Sequence, residues 1–284
     1  MGKDKIKIGF APTRRNLFSA ETAMEFADLT RKKLKELDID YVDIKDINDD
    51  GLLYDDEGVE KIAEKFKKEN IDGLFIMNGN FGNEWAVARL AKKMDVPVLL
   101  WGPRDEHPAE DGSRLRDSQC GLFAIGKVLR RFRVPFTYIP NCDLDDEAFS
   151  RGVKVFERVC NVVKVFNNTR ILQIGPRPFD FWATIANEGE LLERFNIQLS
   201  PIPLNELIQE IRRVQVEEKD EMEKNTKQLH EIADVQITDD KVEMVVALKI
   251  AIQNKAREYG CNAGVIQCWT ALQDEIGILP YAAE

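Results

Sequence analysis

Residues 73–102 read GLFIMNGNFGNEWAVARLAKKMDVPVLLWG. Two apolar runs of strand length, Gly73–Asn78 and 97–102, flank a segment of helical pattern. Between them, Asn78-Gly79-Asn80-Phe81-Gly82-Asn83-Glu84 supplies glycines that permit tight, positive-φ geometry and asparagines that donate and accept hydrogen bonds. Asn83 stands where it can cap the helix that follows. The unit is a strand, a helix and a strand, and it sets the plan for its neighbours.

Outward from this unit, residues 6–11, 41–47 and 135–139 are further short apolar runs. Before the second of them, Ala20, Ala23, Met24 and Ala27 recur at helical spacing, with Ser19 as a cap. Five strands alternating with helices imply an α/β fold with a doubly wound parallel sheet, flavodoxin-like in strand order. Glu147–Phe166 reads as a long helix closing this first domain, 1–167, with a boundary at Asn167-Asn168. A second doubly wound parallel-sheet domain, 168–284, starts at the strand Thr169 to Gly175. It continues with a helix over 189–195 and an extended run over 197–202. One very polar helix is expected from Asn205 to about Ala233, then an amphipathic helix carrying Met244, Ala247, Leu248, Ala251 and Ile252. Asp239 and Asp240 start that helix and Gly260 stops it. A buried strand over 264–269 follows.

Composition excludes several classes of function. With 284 residues, 44% hydrophobic and 32% charged, the chain supports packed cores and a wet surface. A net charge of −10 and a pI near 5 argue against a nucleic-acid partner, whose phosphates need a clustered basic face. No apolar run reaches the roughly 20 residues a membrane span needs, and the first residues, MGKDKIKIGF, lack the apolar core of a secretory signal. Five cysteines without Cys-x-x-Cys spacing fit reduced thiols in the cytoplasm. Of the two histidines, His230 lies in a charged helix and His107 in a polar loop, too little material for a His-based triad.

In open parallel sheets, ligands bind beyond the carboxyl ends of the strands. Arg14 and Arg15 follow the first strand, as fixed donors for a polyhydroxylated or anionic ligand or as solvated or interface charges. Asn80 and Phe81 follow the third, in a loop that is neither Gly-x-Gly-x-x-Gly nor a Walker loop. Trp101 and Arg104 follow the fourth, opening a dense polar loop that runs through Arg114, Arg116, Asp117 and Ser118, the last two as candidate caps. In the second half, Arg177, Phe179, Phe181 and Trp182 lie on a proline-stiffened turn that suits a sugar face and a domain interface equally. Gln267 and Trp269 alternate toward one side of the last strand, as a sugar-holding pair or as core.

Four blocks together resemble the L-fucose/L-arabinose isomerase family. They are Asn80-Phe81-Gly82-Asn83-Glu84; Arg104-Asp105-Glu106 through Arg114, Arg116-Asp117-Ser118 and Cys120-Gly121; Ile174-Gly175, Arg177-Pro178 and Asn187-Glu188; and Gln267-Cys268-Trp269 through Gly277-Ile278 and Pro280. They keep order and spacing over essentially the whole chain, and the second is the most specific. The resemblance implies an aldose–ketose isomerase acting on a monosaccharide through a cis-enediol, with Mn²⁺ (or Mg²⁺) held by oxygen ligands. It implies a homo-oligomer, hexameric in the full-length form. In that form the first-domain residues Arg14 or Arg15 and the Phe81 region reach a neighbouring subunit's site. Glu284 matches the family's metal-binding glutamate and is the candidate for both metal binding and catalysis. Tyr281 stands where the family pattern has cysteine.

The family's further metal ligands, an aspartate and a histidine, lie beyond the position of Glu284. The expectation is therefore an N-terminal portion, its second domain incomplete at the C-terminal end, that lacks catalytic competence alone. The reading from a different class is a non-catalytic two-domain sugar-binding or regulatory protein, which fold alone does not exclude.

Overall fold

A computed structural model describes residues 5–108, 110–280 and 283. The chain divides into two compact units, Met1–Lys164 and Val165–Glu284.

The first unit runs β1 (Lys7–Thr13), α1 (Ala20–Glu36), β2 (Asp40–Val42), α2 (Asp56–Lys68), β3 (Gly73–Asn78), α3 (Glu84–Met94), β4 (Val98–Trp101), α4 (Ser118–Arg131), β5 (Phe136–Tyr138) and α5 (Glu147–Phe166). Its strands pair in parallel in the order β2-β1-β3-β4-β5, the flavodoxin-like order. Every residue of β3 and β4 is buried. Leu74, Ile76, Val98 and Leu100 enter one core with α2, α3 and α4. Phe75, Met77, Leu99 and Trp101 enter the other with α1 and α5. A strand covered on both faces is apolar at consecutive positions, which is why these runs do not alternate.

Local capping follows the sequence. Ser19 Oγ accepts the Thr22 N–H at 3.1 Å to start α1, and Asn83 Oδ1 accepts the Ala86 N–H at 3.3 Å to start α3. The second strand is shorter than the apolar run 41–47. Asp43 turns back to accept its own neighbour's Ile44 N–H and the Arg31 guanidinium, at 2.7–2.9 Å, which ends the ladder while Ile44 stays in the core.

The second unit holds β6 (Arg170–Ile174), α6 (Glu188–Phe195), β7 (Gln198–Ile202), α7 (Leu204–Glu217), α8 (Lys219–Ile232), α9 (Asp239–Glu258), β8 (Ala263–Ile266) and α10 (Ala271–Ile276). The strands are parallel in the order β7-β6-β8. Leu172, Ile174 and Ile202 pack on one face against Leu207, Ile211 and Val214 of α7 and the apolar stripe of α9. Two expectations need correcting here. The polar stretch after Asn205 is two helices, broken at Glu218, because Asn254 on α9 donates to Glu210 at 3.0 Å and to Glu218 at 2.9 Å and pins the break. And β8 is not a buried strand: Ala263, Gly264 and Val265 are exposed, since it is an edge of the sheet among the described residues. No helix among the described residues is long and apolar enough to cross a membrane.

Candidate functional site

Two sets of strand ends carry the candidate residues, one in each unit. In the first unit the loops after β1, β3 and β4 are tied to one another. Arg14 Nε donates to Asp50 at 2.6 Å, and its guanidinium lies 3.9 Å from the Tyr54 ring centre. Arg15 pairs with Glu84 at 3.1 Å, donates to the Gly82 carbonyl at 3.1 Å and lies over Phe81, which stacks on Phe18. Asn80 is fully buried. Its Oδ1 accepts the backbone N–H groups of Arg15, Phe81 and Gly82, and its Nδ2 donates to the carbonyls of Arg15 and Ser19. Its hydrogen-bonding capacity is spent on holding two loops together.

The loop after β4 is also tied down, although Arg116 NH1 is buried there without a partner. Arg116 is buried, donates to Glu106 at 2.8 Å and to the Arg104 carbonyl at 2.6 Å, and lies 3.9 Å from the Phe26 ring centre. Arg104 itself pairs with Asp146 at 3.0 Å and Asp143 at 3.5 Å on the surface. Asp117 occupies the cap position of α4 but makes no capping bond. Asp105 caps instead, accepting the N–H groups of Ser118 at 2.8 Å and Gln119 at 3.1 Å. Trp101, expected at a sugar, is fully buried against Phe149 at 4.6 Å and Phe75, because its place in β4 faces the α1–α5 core. His107 is exposed. Burial pushes the Cys160 thiol up to about 12 and raises Cys142, and hydrogen bonding to Asp117 raises Cys120, so these three favour the neutral thiol.

The second unit differs. The open face of its sheet forms a cleft of about 530 Å³ at the carboxyl ends of β6 and β8. Gln173, Val265 and Leu199 line it from the strands, and Arg177, Phe181 and Gln267 from the loops beyond. The turn after β6 is stiff. Gly175 has φ +74°, and a Cβ there would come within 2.8 Å of Gln267 Oε1, so only glycine fits. Gln267 is anchored by its N–H to the Ile174 carbonyl at 2.8 Å, and its Nε2 donates to the Trp269 carbonyl at 3.1 Å. Trp269, half exposed, meets Phe181 edge-on at 5.5 Å. Gln267 thus lies at the cleft and Trp269 beside it through Phe181, whereas the first-unit candidates belong to a separate set of loops.

Gln173 was missed as a site residue, and Arg177 was left open between a sugar face and an interface. Gln173 is one polar residue inside an apolar strand, and such a side chain on a half-covered sheet points to the open face. Arg177 carried the strand-end signal but shared it with an interface reading. Glu284 and Tyr281 lie outside the described residues. Among the described residues there is no group of three or more His, Cys, Asp or Glu side chains that would hold a metal ion. The described donors therefore do not fit a Mn²⁺ or Mg²⁺ site by themselves.

The sulfoquinovose isomerase of Priestia megaterium is 22% identical over 225 residues, covering 79% of this chain and 49% of that protein. The Priestia aryabhattai protein of the same name matches equally, and that of Alkalicoccus urumqiensis is 23% identical over 208 residues, covering 72% of this chain and 45% of its own. The chain spans about half the length of the curated relatives it matches. Residues 9–167 match the model of the fucose/sulfoquinovose isomerase N-terminal domain. With that match covering more than half of its residues, the chain belongs to the fucose/sulfoquinovose isomerase family.

Proposed function

We propose that this chain serves aldose–ketose isomerisation of a monosaccharide and that the cleft at the ends of β6 and β8 holds part of the sugar. The observation that carries the reading is Gln267, a fixed amide at the carboxyl end of a parallel strand, with the Phe181–Trp269 pair beside it. Aromatic walls with a few placed polar groups are the usual build of a small-molecule site. The curated relatives are named for a sugar isomerase, which supports the same reading.

In such a reaction a base takes a proton from C2 and returns it at C1, while another moves between O2 and O1. The described residues bind and orient. Gln267 offers an amide to sugar hydroxyls, and the aromatic pair covers one side. Glu284 is our candidate for the base and for a ligand of Mn²⁺ (or Mg²⁺), which would steady charge developing on the oxygens. The remaining groups would come from outside the described residues, and the chain alone is expected not to turn over. We extend the reading to a cytoplasmic homo-oligomer in which the loops after β1 and β3, bearing Arg14, Arg15 and Phe81, with Leu17 89% exposed in the first of them, face a second copy.

The test has two parts. Incubation with L-fucose, L-arabinose or sulfoquinovose plus Mn²⁺ should give no turnover, and robust turnover would overturn the expected incompetence. Titration with the same sugars should give binding that Gln267→Ala weakens. Binding that ignores both Gln267 and Mn²⁺ would favour a non-catalytic sugar-binding protein instead.

A further inference from the structure

We infer that the free edge of β5 docks an extended, acidic segment of a partner protein, which adds a strand to the sheet of the first unit. Among the described residues β5 ends that sheet and pairs with β4 alone. Ile139 donates its N–H inward, to the Leu100 carbonyl at 3.0 Å. Backbone groups alternate along a strand, so Phe136 and Tyr138 present their N–H and C=O groups outward.

Both faces beside this edge are prepared. Between β5 and α4 runs a groove of about 810 Å³, lined by Phe123, Lys127, Arg130, Phe136 and Tyr138. Phe123 is 70% exposed and Tyr138 67%. Gly126 lets helix and strand approach, since a Cβ there would lie 3.2 Å from the Phe136 ring. On the opposite face, Val155, Val159 and Val162 of α5 recur at helical spacing, and Val155 and Val162 are exposed. Val159 and Thr137 line a smaller recess of about 350 Å³ there.

Charge selects the occupant. Residues 118–142 hold four cations, Lys127, Arg130, Arg131 and Arg133, and no carboxylate, in a chain of net charge −10. None of the four has an ion-pair or side-chain hydrogen-bond partner among the described residues. Arg14, Arg15, Arg31 and Arg116 of the same unit are all paired. The helix dipole accounts for Arg130 and Arg131 in the last turn of α4, but not for Lys127 a turn earlier. A second copy laid edge to edge would set like charges against each other. A polynucleotide would meet the cations but cannot continue a main-chain ladder. An extended polypeptide with carboxylates toward α4 and aliphatic side chains toward α5 meets the ladder, the cations and the valines together.

The experiment titrates the full chain at low ionic strength with a fluorescent octapeptide of alternating Glu and Val, read by polarisation. Its controls are an alternating Lys and Val peptide, the Glu-Val peptide N-methylated at every amide, and an oligothymidylate of matched length. The Glu-Val peptide should bind, and the double variant Lys127→Glu/Arg130→Glu should weaken it by about tenfold or more. Both side chains are exposed, so that variant should stay folded, which circular dichroism checks. In the wild-type complex, hydrogen exchange at the amides of Phe136 and Tyr138 should slow. No binding of the Glu-Val peptide, binding that ignores the charge reversal, or equal binding of the Lys-Val or N-methylated peptide overturns the inference. Tighter binding of oligothymidylate also overturns it, by making the face a polyanion surface. So does protection of Phe136 and Tyr138 that rises with the chain's own concentration, which would seat a second copy there.

Discussion

The loops of the first unit and the cleft of the second use the same residue types to opposite ends. Around β1, β3 and β4, arginines meet carboxylates and the Asn80 amide is spent on loop backbone. Around β6 and β8, an arginine and a glutamine are held through their backbones or at one end, and their reactive edges stay open. The difference teaches that density of polar residues marks neither region as a site. What separates them is where the remaining capacity lies: buried at Asn78 Oδ1 and Arg116 NH1 in the first unit, and at an open cleft in the second.

That contrast is open to attack by substitution. The largest effect should come from Gly121→Ala in α4. A Cβ there would lie 1.9 Å from the Phe81 carbonyl oxygen and 2.5 Å from Asn78 Nδ2, so helix and loop must part. We expect a loss of about 3 kcal/mol, with hydrogen exchange accelerated in the first unit and unchanged in the second. Uniform acceleration would show the loops are not where the first unit stores its stability. Next is Arg116→Ala, which removes a buried cation and its packing on Phe26. Its partner Glu106 remains partly solvated, so the expected cost is nearer 2 kcal/mol. Urea unfolding followed at Trp101, in the first-unit core, checks it. Smallest are Arg177→Gln and Gln267→Ala in the second unit. Both should stay within about 0.5 kcal/mol of wild type in stability, because neither group supports the packed core. A large destabilisation from either would make the cleft residues structural and collapse the comparison.

Most of the scaffold was legible before any coordinates. Gly73–Asn78 and Glu147–Phe166 emerge with the bounds their apolar patterns predict: the strand is buried throughout, and the helix buries Phe149, Val153, Phe156 and Cys160 at helical spacing. The misreadings share a cause. The break at Glu218 depends on Asn254, a partner 36 residues away, and charge composition runs through it without a signal. The capping of α4 by Asp105 is likewise a contact made across a loop, invisible to a rule that looks at adjacent positions. Trp101 misled because a strand-end aromatic looks alike whether it faces ligand or core. The face depends on one residue of register. The cleft was half visible. Gln267 and Trp269 were singled out by their position after a strand, whereas Gln173 and Arg177 show their availability only once the unpaired edges are seen.

The outer edge of β8 carries a practical consequence. A row of exposed residues, Ala263-Gly264-Val265, carries no charge or proline and ends a sheet of three strands among the described residues. Such a border is a template on which another extended segment can lay itself by main-chain bonding alone. Anyone concentrating this chain for crystals or calorimetry should expect it to self-associate there first. A lysine at Val265 is the simplest gatekeeper, since it adds charge to a side chain that is already half in solvent.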